Sequence, residues 1–179
     1  MKNRWKAVVV VGLFTFLLGG CSPTQQGARV ELEQHAAALE AAAQDVLQAL
    51  DAAGLAGGTA AGHVESCGGS LSPGVSYRAG GSAPVGDDLA ADLEGVSQLL
   101  EATGWNSAGD LGGDSPSGRF TRDDITLDVK TGGFRVGDEL HGADEMTFGL
   151  RIDDPCVRVP DGVHADEFQD LERNILPRD

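Results

Sequence analysis

The side chains that could do chemistry are few and scattered. Cysteine occurs three times, at Cys21, Cys67 and Cys156, with no Cys-x-x-Cys spacing that would suggest redox exchange or a zinc site. His63 and Glu65 lie two residues apart and would share one face of a strand, while His141 and His164 have Asp144, Asp166 and Glu167 nearby. None of these histidines has a partner at His-x-x-x-His spacing, so they read as surface residues and no metal is expected. Asn106, Asp110, Gly112, Gly113 and Asp114 form a stretch with the oxygen ligands and glycines that calcium favours. It lacks the alternating aspartates and closing glutamate of an EF-hand, and reads as a solvated loop. Ser70, in Gly68-Gly69-Ser70-Leu71-Ser72, lacks the final glycine of a nucleophile elbow. Asp123-Asp124 and Asp153-Asp154 border strand-like runs, where turns recruit aspartate. Carboxylate pairs for glycoside cleavage meet in space rather than in sequence, and nothing here singles one out. No catalytic residue and no cofactor are expected.

The N-terminal segment is more informative. Lys2, Arg4 and Lys6 precede an apolar run over residues 7–18, followed by Leu18-Gly19-Gly20-Cys21. Basic residues, a short apolar run and small residues together make a secretory signal, and the run is shorter than a spanning helix needs. Leu18, Gly19, Gly20 and Cys21 resemble the lipobox of bacterial lipoproteins. The resemblance covers the first 21 residues and implies three things: a diacylglyceryl thioether on Cys21, removal of residues 1–20, and anchoring to the outer face of a cell membrane. With Cys21 lipidated, Cys67 and Cys156 remain as a pair in an oxidising compartment, where a structural disulfide is expected. A staple closing so long a loop would stabilise by roughly 4–5 kcal/mol in the chain-entropy model.

Composition sets further limits. Removal of residues 1–20 takes three of the 13 basic residues and none of the 28 acidic ones, leaving 10 against 28 and a formal charge of −18. A surface of that charge repels nucleic acid, which is excluded as a partner. After the cleavage site the aromatics are only Tyr77, Trp105, Phe120, Phe134, Phe148 and Phe168, so the expected core is small.

The elements that would hold these residues follow from hydrophobic periodicity. Residues 21–27 form a polar tether. Leu32, Ala36, Leu39, Ala43, Val46 and Leu50 make one helical stripe within a helix over residues 28–53, stopped by Gly54. Residues 61–67 and 75–79 alternate as two antiparallel strands, and residues 80–86 read as a loop. A second helix over residues 88–103, capped by Asp87, carries Leu89, Leu93, Val96 and Leu100. Trp105 follows as the largest available core side chain. Residues 106–118 read as a flexible loop. Residues 119–122, 125–130 and 146–152 read as strands, with Thr131-Gly132-Gly133 as a hairpin turn into residues 134–136. The acidic tail, residues 161–179, has one helical turn around residues 167–176.

Helices interspersed among hairpin-linked strands predict an α+β two-layer domain over residues 28–160, an antiparallel sheet with two main helices on one face and one disulfide. Gly104-Trp105 after the second helix and Asp154-Pro155-Cys156 near the end resemble the small envelope lipoproteins of high-GC Gram-positive bacteria. That resemblance brings no assigned activity. The functional expectation is a non-catalytic binding or accessory module for an envelope protein or small ligand. The alternative is a hydrolase acting on cell-wall polymer through paired carboxylates.

Overall fold

Helix α1, Gln25–Ala52, begins where the Thr24 hydroxyl accepts the Gly27 N–H at 3.1 Å, three residues earlier than its apolar stripe predicts. The computed structural model describes residues 23–69, 72–112, 115–136 and 139–176. At 28 residues α1 is about 42 Å long, and its expected stripe from Leu32 to Leu50 is buried throughout. Gly54, at φ 86°, ends it in the left-handed conformation that glycine takes without a Cβ clash.

The chain continues through β1, Thr59–Gly69, and β2, Ser72–Pro84, then α2, Leu89–Ala102. Strands β3 to β10 follow: Asn106–Gly109, Ser117–Arg122, Ile125–Thr131, Phe134–Val136, Glu139–His141, Glu145–Ile152, Val157–Arg158 and Arg173–Ile175. A short 3-10 helix, Ala165–Leu171, precedes the last of them. One antiparallel sheet runs β10-β1-β2-β8-β5-β4-β3, with β9 also pairing with β2, and β6 and β7 form a separate ribbon. Both helices pack on the same face, so the α+β two-layer expectation holds. Along the central strands Tyr77, Ala79, Leu127, Val129, Met146, Phe148 and Leu150 turn inward and meet Leu39, Val46, Val96 and Trp105 in one core.

Cys67 and Cys156 form the expected disulfide, with Cα atoms 5.8 Å apart. Cys67 on β1 lies opposite Gly74 on β2, and Gly74 lies opposite Arg158 on β9, so the bridge passes over Gly74 to join β1 to the approach to β9. A Cβ at Gly74 would stand 2.5 Å from the Cys156 sulfur, which explains the glycine.

Five local expectations are corrected. Asp88, not Asp87, caps α2 by accepting the Ala91 N–H at 3.1 Å. β2 runs on through the expected loop to Pro84, because β1 and β8 pair with it from both sides across Gly80 and Gly81. Part of the stretch read as a flexible loop is β3, a fully exposed edge strand whose ladder comes from β4 alone. Thr131-Gly132-Gly133 does not close a hairpin between β5 and β6. β5 pairs instead with β4 and β8, burying two apolar alternations against each other, and β6 pairs with β7. The tail's helical turn is the 3-10 helix, and it leads into β10 on the edge beside β1, with Phe168, Leu171 and Ile175 in the shared core.

Candidate functional site

Among the described residues, the helices cover one face of the sheet and leave the other open. Because side chains alternate along a strand, the inward residues fix which ones look outward. Asp128 on β5, Gly149 on β8, Gly80 on β2, Ala61 on β1 and Asn174 on β10 are successive register partners, forming one row across five strands of the open face. Two glycines and an alanine leave the middle of that row without bulk. The row on one side holds the register pairs Thr126–Arg151 and Arg78–His63. The row on the other side is Lys130, Thr147, Ser82 and Thr59. The result is a trough with a floor of peptide backbone, a cationic wall and a hydroxyl wall.

Two open depressions occupy the trough and share Gly80. One, about 300 Å³, is lined by His63, Arg78, Gly80, Asp128, Gly149 and Arg151. The other, about 370 Å³, is lined by Thr59, Ala61, Gly80, Ser82, Glu145 and Thr147. Asp128 closes one end. It accepts from Arg119 Nε at 2.6 Å and Nη2 at 3.1 Å, and from Arg151 Nη1 at 2.7 Å. Burial pushes its carboxyl up, but the bonds from Arg119 and Arg151 outweigh this and hold it below the usual carboxylate range. Two guanidiniums on one carboxylate leave a net positive charge at this end. Arg78 donates through Nε to Glu65, which also accepts from the Ser76 hydroxyl at 3.4 Å.

The charge of this face contrasts with the rest of the chain. Among the described residues, Arg78, Arg119, Lys130, Arg151 and Arg158 lie on it with Glu65, Asp128, Glu145 and Asp153. The other described side chains carry three cations and 20 carboxylates. Among the described side chains, five of the eight cations thus gather on the face that the helices leave bare.

Other concavities gather less. A depression of about 440 Å³ between α1 and α2 is lined by Ala49, Ala52, Leu99 and Ala102, and its charged residues Asp45 and Arg122 pair with each other at 2.8 Å. Arg122 also stacks 4.4 Å from the centre of the buried Trp105 ring, confirming Trp105 as core.

Of the residues singled out by sequence, His63 and Glu65 reach the trough or its margin, as neighbours of Arg78 rather than as metal ligands. The His164 N–H donates to the Glu167 carboxylate at 3.3 Å at the start of the 3-10 helix, and Asp166 is exposed there. Asp144 is exposed, and its carbonyl accepts the Val85 N–H at 3.1 Å. His141 is placed on β7 by its backbone. Asp110 accepts from the Gly112 N–H at 2.7 Å and the Ser117 hydroxyl at 2.6 Å, which fixes a turn, and these bonds hold its carboxyl below the ordinary range. Asp123 and Asp154 sit at φ 53° and 56° in turns, and Asp153 accepts from the Thr126 hydroxyl at 3.1 Å. Among the described residues no cluster of three His, Cys, Asp or Glu side chains could hold a metal. Leu18, Gly19, Gly20 and Cys21, with Ser70, Gly113 and Asp114, lie outside the described residues. No described helix is long and apolar enough to cross a membrane.

Sequence reasoning missed Gly80, Gly149, Arg78, Arg119, Asp128 and Arg151 as a group. The available signal was Gly149, which interrupts the alternating run from Met146 to Ile152 on its polar side. Compared with family models, curated proteins and solved structures, the chain finds no match.

Proposed function

We propose that this protein is a lipid-anchored lipoprotein of the cell envelope, held to the outer face of the membrane through Cys21, and that its domain is a non-catalytic binding module. The observation that carries the binding half is the bare sheet face, where a glycine-floored trough and five of the eight described cations coincide. The anchoring half rests on Leu18-Gly19-Gly20-Cys21. α1 starts four residues after Cys21, so an extended link would hold the domain within about 15 Å of the lipid.

The wall-polymer hydrolase receives less support. A general acid needs a carboxyl whose affinity for protons is raised. Asp128, the carboxylate at the closed end of the trough, is shifted the other way by its two arginines.

The test is in-cell crosslinking of the full-length protein, followed by affinity capture from the membrane fraction. Wild type should fractionate with membranes and bring down a reproducible envelope component, which Gly149→Val should lose. Cys21→Ser should release the protein from membranes. Membrane retention of Cys21→Ser would refute the anchor, and identical captures from wild type and Gly149→Val would refute the binding face.

A further inference from the structure

We infer that the trough takes an anionic carbohydrate, a sugar carrying a carboxylate or a phosphate, laid flat on the Gly80–Gly149 floor. This inference rests on the binding-module reading above and adds the chemical class of the ligand.

The floor is the first ground. Glycine weakens the interior of a strand, and there it often marks a place where something approaches the backbone closely. Gly80 has an internal reason to be glycine, since a Cβ would lie 2.9 Å from the Phe148 carbonyl oxygen. Gly149 has none. Its φ is not in the left-handed region, and a Cβ built there meets nothing within 4 Å. A central strand therefore carries a residue that weakens it, at the one position where its absent side chain keeps the trough open.

The walls are the second ground. Arg78, which donates through Nε to Glu65, stands on one side with Arg151 and the exposed His63, and Asp128 shares its charge between Arg119 and Arg151. An incoming carboxylate or phosphate would meet guanidinium donors of the geometry it favours. Across the floor, Thr59, Ser82 and Thr147 present hydroxyls, with the Lys130 ammonium at the end of their row. A ligand bearing an anionic group on one edge and several hydroxyls on the other satisfies both walls, and a sugar ring has that pattern. From Asp128 to Ala61 the row crosses three inter-strand steps, about 14 Å in all, which is room for one or two rings.

The third ground is what the face lacks. Protein interfaces are anchored by buried aromatic, methionine and arginine side chains. The described residues of the open face include arginines but no aromatic, methionine or leucine side chain, and the large exposed hydrophobics among the described residues, Val30 and Leu176, belong to α1 and to the residue after β10.

The experiment is calorimetric titration of the full-length protein in neutral detergent with glucuronate and with glucose 1-phosphate. Glucose and inorganic phosphate serve as the separated parts. At least one anionic sugar should bind saturably, at least about tenfold tighter than either part, and more weakly as salt is raised. Which anionic sugar wins tells carboxylate from phosphate. Gly149→Val should lose about tenfold or more in affinity with an unchanged or raised thermal midpoint, because the valine enters open space on a strand. Arg151→Gln should weaken both anionic sugars and leave glucose unaffected.

Failure of both anionic sugars to bind would overturn the inference, as would equal binding by Gly149→Val. Inorganic phosphate binding as tightly as the sugar phosphate would overturn its carbohydrate part. If the sugars fail while in-cell capture still yields a component that Gly149→Val loses, the ligand class is wrong and the binding module stands. If both fail, both readings fall.

Discussion

Tyr77 shows how single residues tie the sheet to its helix. Its ring lies fully buried against Gly62, where a Cβ would collide with the phenol oxygen at 1.7 Å. Its hydroxyl donates to Glu40 Oε1 at 2.9 Å, and Arg173 Nε donates to the same oxygen at 2.6 Å, so one carboxylate of α1 holds β2 and β10. Burial, and then the neighbouring Glu40, push the phenol above its ordinary value. Stability from this source is present below the unfolded tyrosine value near 10 and should fall as the pH rises beyond it. Tyr77→Phe should lose about 1.5–3 kcal/mol in neutral denaturant titrations and flatten the alkaline decline. Asp128 works in the opposite sense. Its lowered folded value gives stability that is present above the unfolded aspartate range and lost as the pH drops through it. Acid melts of Asp128→Asn should show a shallower decline than wild type. At this scale the sequence was readable where chemistry is local. Trp105 as core and the turn aspartates follow from their neighbours, and the Cys67–Cys156 pair, though distant, follows from the cysteine count. The trough was not readable, because Gly80 and Gly149 lie far apart in the chain and meet only through register.

Among the elements, the long periodic ones were legible and the short ones were not. α1, α2, β5 and β8 carry apolar residues at the period of their own geometry, and burial of that pattern forms them. β3 and β10, four and three residues long, have little pattern to read and exist because a neighbouring strand offers a ladder. Gly80-Gly81 looks like a strand breaker in the sequence, yet β2 runs through it. A Cβ at Gly81 would stand 2.0 Å from the Thr59 carbonyl oxygen, so this pair is close strand packing rather than a loop. α2 contains a contrasting glycine. Gly95 has open space where a Cβ would go and ordinary helical φ. Gly95→Ala should therefore stabilise by about 0.5–1 kcal/mol in thermal melts, with no effect on binding at the opposite face.

For the molecule as a whole, the disulfide spans a sequence separation of 89 and fastens β1 to the segment that enters β9. Cys67→Ser and Cys156→Ser should each destabilise by about 4 kcal/mol, and the double variant should match either single. Additive losses would contradict the pairing. The larger division is between faces: two helices and the core on one side, a bare sheet with gathered cations on the other. Charge counting anticipated an acidic chain but not this segregation, because it averages over faces that only the fold separates. The central claim is that the bare face is the working surface, and site-specific photocrosslinking in cells tests it most directly. A crosslinker at Thr147, on the open face, should give discrete adducts to envelope material, whereas one at Gln98, on exposed α2, should give few. Equal labelling from both positions, or adducts from Gln98 alone, would contradict the account.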